Sequence, residues 1–127
     1  MVYAAIGGMQ LKRWTGYFRI IIPTLRVLKS AKQAEGCVHA DTFKAGDVFF
    51  AVSVWETEEQ LKTFGRSGLH GQLTQVAMNH MAMFFNHTEG FESIPNRDQA
   101  VTAWKAAIAA SGGNGTIGTY LVSREQL

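Results

Sequence analysis

The sequence predicts an α+β domain with one antiparallel sheet and helices on one of its faces. Two observations lead to this prediction. Strand-like and helix-like stretches follow one another in the order βαββαβ, which is an order typical of mixed α+β domains. The segment Val48–Trp55 is also apolar at nearly every position, which indicates a strand that is buried on both faces.

The composition fits one compact domain, 1–127. Hydrophobic residues make up 46% of the chain and charged residues 17%, which argues against disorder. The formal charge of +2 is small and its basic residues are scattered, so nucleic acid is not an expected partner. The single cysteine, Cys37, excludes an intrachain disulfide. No apolar run reaches membrane-spanning length, and we expect a cytoplasmic protein without a membrane partner.

The first strand and the first helix are predicted from periodicity. Val2–Leu11 is the strand, and Gly7 and Gly8 within it indicate a bulge or a close approach to the backbone. Pro23 should kink the following helix or mark its first turn, and Gly36 ends it. The apolar positions of this helix recur every three or four residues: Phe18, Ile21, Ile22, Leu25 and Leu28.

A hairpin and a second helix follow. The strands are "CVHADTF", 37–43, and "DVFFAVSVW", 47–55, and Gly46 lies in the turn between them. Thr57 is the predicted N-cap of the helix, because its hydroxyl can accept from a free backbone amide. Glu58 and Glu59 suit the positive end of the helix dipole.

The last third of the chain is harder to assign. The stretch "LHGQLTQVAMNHMAMFF", 69–85, has one apolar stripe that predicts a resumed helix, and Arg97–Ala110 predicts a third helix. The closing strand is placed at "TIGTYLV", 116–122, with a position nearer 81–87 as the alternative. The stripe consists of Leu69, Leu73, Val76, Ala77, His80 and Phe84.

This order is the layout of a ferredoxin-like domain, βαββαβ, with the helices on one face. Its strand Val48–Trp55 alternates Val48, Phe50, Val52 and Val54 with Phe49, Ala51, Ser53 and Trp55. A second apolar face open to water would be a large sticky patch and should be covered. We therefore expect a homodimer formed through the sheet face.

The segment "SVWETEEQLKTF" followed by a histidine resembles the strand-to-helix junction of the dimeric α+β barrel superfamily. That superfamily includes the antibiotic-biosynthesis-type monooxygenases, and "SVWE" is also similar to spheroidene monooxygenase-like proteins. The resemblance implies two ferredoxin-like sheets paired face to face, each with a pocket between sheet and helices. Some members oxidise aromatic substrates without a cofactor, and others bind haem. The resemblance is carried by Val54, Trp55, Glu56, Leu61, Phe64 and His70.

The candidate site follows from this junction. His70 is the candidate catalytic acid or base, because an imidazole exchanges a proton near neutral pH. Each of three residues has an alternative structural role. His70 could donate a hydrogen bond to a loop carbonyl, Trp55 could serve only in packing, and His80 could be buried with its hydrogen bonds satisfied. The candidate substrate-binding residues are Trp55, Phe64, Ser53, His80 and Phe84.

Metal and thiol chemistry have less support. His70 and His80 are ten residues apart, and the sequence contains no closely spaced Cys/His cluster, so no metal site is expected. Cys37 and His39 alternate onto one strand face, where the imidazole could lower the thiol pKa. A nucleophile also needs a base within hydrogen-bond reach.

Three classes of function remain open. The first is a monooxygenase-like enzyme that acts, without a cofactor, on an apolar aromatic or polyene molecule. The second is a haem-binding protein, although the haem-degrading branch that it resembles needs an asparagine on the first strand, which Val2–Leu11 lacks. Phe64 stands where that branch has a tryptophan, and His70 comes early. The third is a non-catalytic ligand-binding or structural dimer.

Overall fold

The computed structural model describes residues 1–11, 17–65 and 81–111. Within them the chain forms four strands and three helices. In chain order these are β1 (Val2–Leu11), α1 (Tyr17–Gln33), β2 (Cys37–Ala45), β3 (Val48–Trp55), α2 (Glu58–Gly65), β4 (Met81–Phe91) and α3 (Arg97–Ala110).

The four strands form one antiparallel sheet in the order β2-β3-β1-β4. The register pairs Tyr3 with Trp55 and Met9 with Phe49 across the two central strands. Strands β1 and β3 lie in the middle of the sheet. The chain crosses from β1 through α1 to the edge strand β2, and the β2–β3 hairpin then places β3 beside β1. This is the ferredoxin-like α+β layout, and the predicted fold class is confirmed.

The fourth strand lies at Met81–Phe91, nearer the alternative position than the first choice. It pairs with β1 from Phe91 opposite Val2 to Met81 opposite Leu11. The sequence prediction of a helix over 69–85 is therefore wrong for its last residues. A short apolar run such as "MAMFF" fits a helix stripe as well as a buried strand, and pairing with β1 decides between them. Residues 69–80 and the proposed strand at 116–122 lie outside the described residues.

The sheet is covered on both faces, which explains the doubly apolar strand β3. On one face α1 and α2 pack over Trp55 and Ala40, with Ala31 and Leu61 buried in the contact. We call this the α1/α2 face, and it carries the two helices predicted for one side. On the other, the α3 face, the buried cluster consists of Ala4, Ile6, Val48, Phe50, Val52, Val54, Ala100, Trp104 and Ile108. The sequence predicted that a second copy of the chain would cover this face, but α3 of the same chain packs on it.

Trp104 anchors α3 to the sheet. Its indole Nε1 donates to the carbonyl oxygen of Phe85 at 2.8 Å, and its ring meets Phe50 edge-on with centroids 5.1 Å apart. A Cβ on Gly8 would lie 2.5 Å from the indole ring. The predicted close approach at the glycine pair is thus confirmed at Gly8, where only a hydrogen leaves room for the ring.

Local signals set the ends of the helices. Gln60 N donates to Thr57 Oγ1 at 3.1 Å, so Thr57 caps α2 as predicted. Asn96 and Gln99 form a reciprocal capping box at the start of α3. Pro23 lies inside α1, beyond its first turn. None of the helices in the described part of the chain is long and apolar enough to cross a membrane.

Candidate functional site

Three of the six predicted site residues meet on the α1/α2 face. Trp55 ends β3 with only 1% of its surface exposed, because the helix layer covers it. Its ring lies 5.1 Å from that of Phe64 on α2. Its indole Nε1 donates to Ser53 Oγ at 2.9 Å. The alternation of β3 puts both side chains on one face, and α2 brings Phe64 against Trp55.

Ser53 supplies the polar group of this cluster. Its hydroxyl accepts from the indole and keeps its own proton, which it can donate to another oxygen or nitrogen. The residue is half-buried, and its neighbours across the sheet are Ala5 on β1 and Ala40 on β2. A donor set among such small apolar side chains can orient a ligand that is otherwise apolar.

Small side chains form the floor around Ser53. Ala5, Gly7 and Ala51 lie beside it on the same face of the two central strands. Larger pairs stand at both ends of this floor, with Tyr3 and Trp55 at one end and Met9 and Phe49 at the other. Ala5, Ala51 and Ser53 are only half-buried beneath the helix layer. We call this low stretch of the sheet, between the two larger pairs, the recess.

Of the other three predicted residues, the structure describes only Phe84. His70, the candidate catalytic residue, and His80 lie outside the described residues. Phe84 belongs to β4, where its backbone pairs with Met9 at one end of the recess, instead of to the predicted helix. The structure therefore confirms that Trp55, Ser53 and Phe64 form one cluster, while their substrate-binding role and the acid/base role of His70 stay predictions.

The predicted placement of Cys37 and His39 on one strand face is wrong. A register shift lies between them, so that Cys37 stands opposite Trp55 while His39 stands opposite Val54. Since Trp55 and Val54 point to opposite faces, the thiol and the imidazole do too. The Cys37 thiol donates to the backbone oxygen of His39 at 3.4 Å, and burial raises its pKa. A raised pKa keeps the sulfur in its weakly nucleophilic thiol form.

A pocket of about 370 Å³ opens on the opposite, α3 face. No pattern in the sequence indicated this pocket. Its charged group is an ion pair in which Arg97 Nε and Nη2 donate to the two oxygens of Asp41, at 2.8 and 3.1 Å. These hydrogen bonds lower the pKa of the Asp41 carboxyl and raise the pKa of Arg97. Fifty-six positions separate the two residues, so that no local pattern in the sequence could have joined them.

Among residues 1–11, 17–65 and 81–111, no three His, Cys, Asp or Glu side chains come together as metal ligands would. Polar groups do come together in the Trp55–Ser53 hydrogen bond on one face and in the Arg97–Asp41 ion pair on the other. The Ser53 hydroxyl can donate a hydrogen bond to a ligand, and Arg97 has N–H groups beyond the two that donate to Asp41.

Solved structures with this fold include antibiotic biosynthesis monooxygenase-like proteins of the dimeric α+β barrel superfamily. A proposed antibiotic biosynthesis monooxygenase from Nitrosomonas europaea aligns with a TM-score of 0.66 and 10% identity, over 75% of this chain and 94% of its own. Rv0793 from Mycobacterium tuberculosis aligns with a TM-score of 0.67 and 9% identity, over 76% and 100%. A further antibiotic biosynthesis monooxygenase gives a TM-score of 0.61 and 11% identity, over 73% and 99%.

Sequence comparisons add no closer relative. No protein-family model matches the chain, and no curated protein matches it. The identities to the solved structures are low, so the likeness establishes the fold alone, and the fold that the resemblance implied is confirmed.

Proposed function

We propose that this protein is a homodimeric, monooxygenase-like enzyme that binds an apolar aromatic or polyene substrate in the recess of the α1/α2 face. The observation that carries the proposal is the Trp55–Ser53 hydrogen bond, 2.9 Å long, at the edge of a floor of small side chains. It fixes the hydroxyl where an apolar molecule lying on the floor would present an oxygen. The half-buried ring of Phe64, which packs on the buried Trp55, suits the flat face of such a molecule.

In this proposal Ser53 and His70 divide the chemistry. The Ser53 hydroxyl donates a hydrogen bond to a carbonyl or hydroxyl oxygen of the substrate and so holds the substrate in place. His70, which follows α2 in the chain, removes a proton from the substrate. The resulting anion is electron-rich and reacts with dioxygen. No cofactor is needed, because the substrate itself supplies the electrons: one oxygen atom enters the product and the other leaves as water.

The homodimer is proposed to form through the α3 face, with α3 as part of the interface. Val101 of α3 supports it, because this apolar side chain is only partly buried among the described residues.

Oxygen uptake with anthrone tests the proposed activity. Anthrone is a flat apolar aromatic, and its oxidation to anthraquinone consumes one dioxygen and releases one water. Wild-type protein should accelerate uptake. His70→Ala should lower the rate about a hundredfold, the usual effect of losing an acid/base group. Ser53→Ala should also lower it, by about tenfold for one lost hydrogen bond.

His39→Ala is the matched control for the histidine, because His39 lies on the opposite face of the sheet and should leave uptake unchanged. Circular dichroism of each variant checks that it is folded. Wild-type protein without effect on anthrone, or a His70→Ala variant with wild-type rates, would contradict the enzymatic proposal.

A further inference from the structure

The pocket on the α3 face is separate from the recess, because the sheet lies between them. At about 370 Å³ it falls within the range of small-molecule sites. Strand β2, the inner strand β3, the segment before α3 and the first turns of α3 all contribute to it. The lining residues on the sheet are His39, Asp41, Phe43 and Val52, and those from the following segment are Ile94, Pro95, Asn96, Arg97 and Ala100.

The walls of this pocket are mainly apolar. Val52 is 4% exposed and Ala100 is 1% exposed, so they form a firm base that belongs to the core. Pro95 is also buried, while Ile94 stands at the rim with 45% of its surface exposed. The base can therefore receive the hydrocarbon part of a ligand without rearrangement, which keeps the entropic cost of binding low.

Arg97 is held in place although its side chain is largely exposed. Two of its N–H groups donate to Asp41, and its guanidinium carbon lies 5.0 Å from the centre of the Phe43 ring. A guanidinium has five N–H donors, so three remain for another acceptor. Asp41 and Arg97 cancel in formal charge, and the partial positive charge at the N-terminal end of α3 is offset by Asp98 in its first turn.

We propose that this pocket binds an apolar small molecule that carries one carboxylate. The carboxylate accepts hydrogen bonds from the remaining donors of Arg97, which Asp41 and Phe43 hold in a fixed position. The hydrocarbon part covers Val52, Pro95 and Ala100. The inference is independent of the proposed enzymatic function, since none of these residues lies in the recess.

Octanoate is a suitable probe, with octan-1-ol as its uncharged partner. Titration of the isotope-labelled protein, followed by amide and side-chain NMR signals, should shift His39, Val52 and Ala100 in a saturable way. Arg97→Gln should weaken octanoate binding about tenfold or more, as expected for hydrogen bonds to a charged group, and should leave octan-1-ol binding unchanged. Arg97→Lys keeps the charge but loses the fork geometry of the guanidinium. Its affinity for octanoate should lie between those of the wild type and the Arg97→Gln variant.

Lys105→Gln is the matched control, because it removes one positive charge from an exposed position of the same helix. It should leave octanoate binding unchanged. Three results would overturn the proposal. These are equal loss in the Lys105→Gln variant, shifts centred on Ser53 and Trp55 instead, or octanoate-dependent dissociation of a dimer, which would assign the pocket to a second copy of the chain. A failed anthrone assay would leave this test unaffected.

Discussion

The indole of Trp55 donates to the hydroxyl of Ser53, two positions earlier on the same face of β3. The bond satisfies a buried N–H group and at the same time turns the hydroxyl proton away from the indole. One contact thus serves both packing and the proposed binding of substrate. A buried tryptophan at a strand end is a common packing anchor, but the serine beneath it gives this one a polar partner.

Ser53→Ala should lower the free energy of unfolding by about 1–3 kcal/mol, because it leaves the buried indole N–H without an acceptor. Ser53→Thr keeps a hydroxyl in a strand position that suits a β-branched residue, and is the matched control. In the double variant Ser53→Ala/Trp55→Phe the two losses should be less than additive, since no donor is left to be satisfied. Urea unfolding measures these three variants and the single variant Trp55→Phe, which supplies the second of the two losses. Additive losses would mean that the bond contributes nothing.

Gly8→Ala should destabilise the protein by about 1–3 kcal/mol, because the added methyl group overlaps the Trp104 ring. Gly65→Ala serves as the control, since a Cβ there meets no heavy atom within 4 Å and alanine favours a helix. Thermal unfolding of both variants gives the comparison. If Gly8→Ala were as stable as Gly65→Ala, α3 would not pack on β1 as described.

Asp41 should make stability depend on pH in the acid range. Arg97 lowers the pKa of its carboxyl below the ordinary value of 3.8, so the folded state favours the charged form. This stabilisation is fully present above the ordinary value and is lost as the pH falls through the lower pKa of the folded state. Asp41→Asn and Arg97→Gln should each lose less stability than the wild type between about pH 5 and about pH 2, as measured by urea unfolding. Parallel curves for all three proteins would show that the ion pair does not form in solution.

Sedimentation at micromolar concentration should show a species of twice 14.0 kDa. Val101→Glu should dissociate it, because a charge would be buried against the partner. Ile22→Glu, at an exposed position on α1, should leave it intact and controls for the added charge. A wild-type protein that sediments as a monomer would contradict the proposed homodimer. It would leave the fold unchanged, because α3 already covers the second face.

The sequence was sufficient to predict β1, the β2–β3 hairpin and the start of α2. Alternation, the Gly46 turn and the Thr57 cap are local signals, and the structure reproduces them. The strand at Met81–Phe91 was assigned less well, because its apolar residues satisfy helix and strand spacing equally and only the pairing with β1 distinguishes the two.

The candidate site divides in the same way. Trp55 and Ser53 could be joined from the alternation of one strand, and Phe64 from the helix that follows it. Asp41 and Arg97 could not, because their contact depends on α3 crossing the sheet toward β2. The placement of Cys37 and His39 on one strand face was wrong because alternation assumes a regular strand. The register shift between the two residues breaks the alternation.

The indole N–H signal of Trp55, followed by NMR during titration with anthrone under nitrogen, tests the central claim most directly. Trp104, whose N–H donates to Phe85 on the other side of the sheet, is an internal reference in the same spectrum. We predict a saturable shift of the Trp55 signal, its reduction in the Ser53→Ala variant, and an unchanged Trp104 signal. A shift of Trp104 alone, or saturation without any change at Trp55, would contradict a substrate site in the recess.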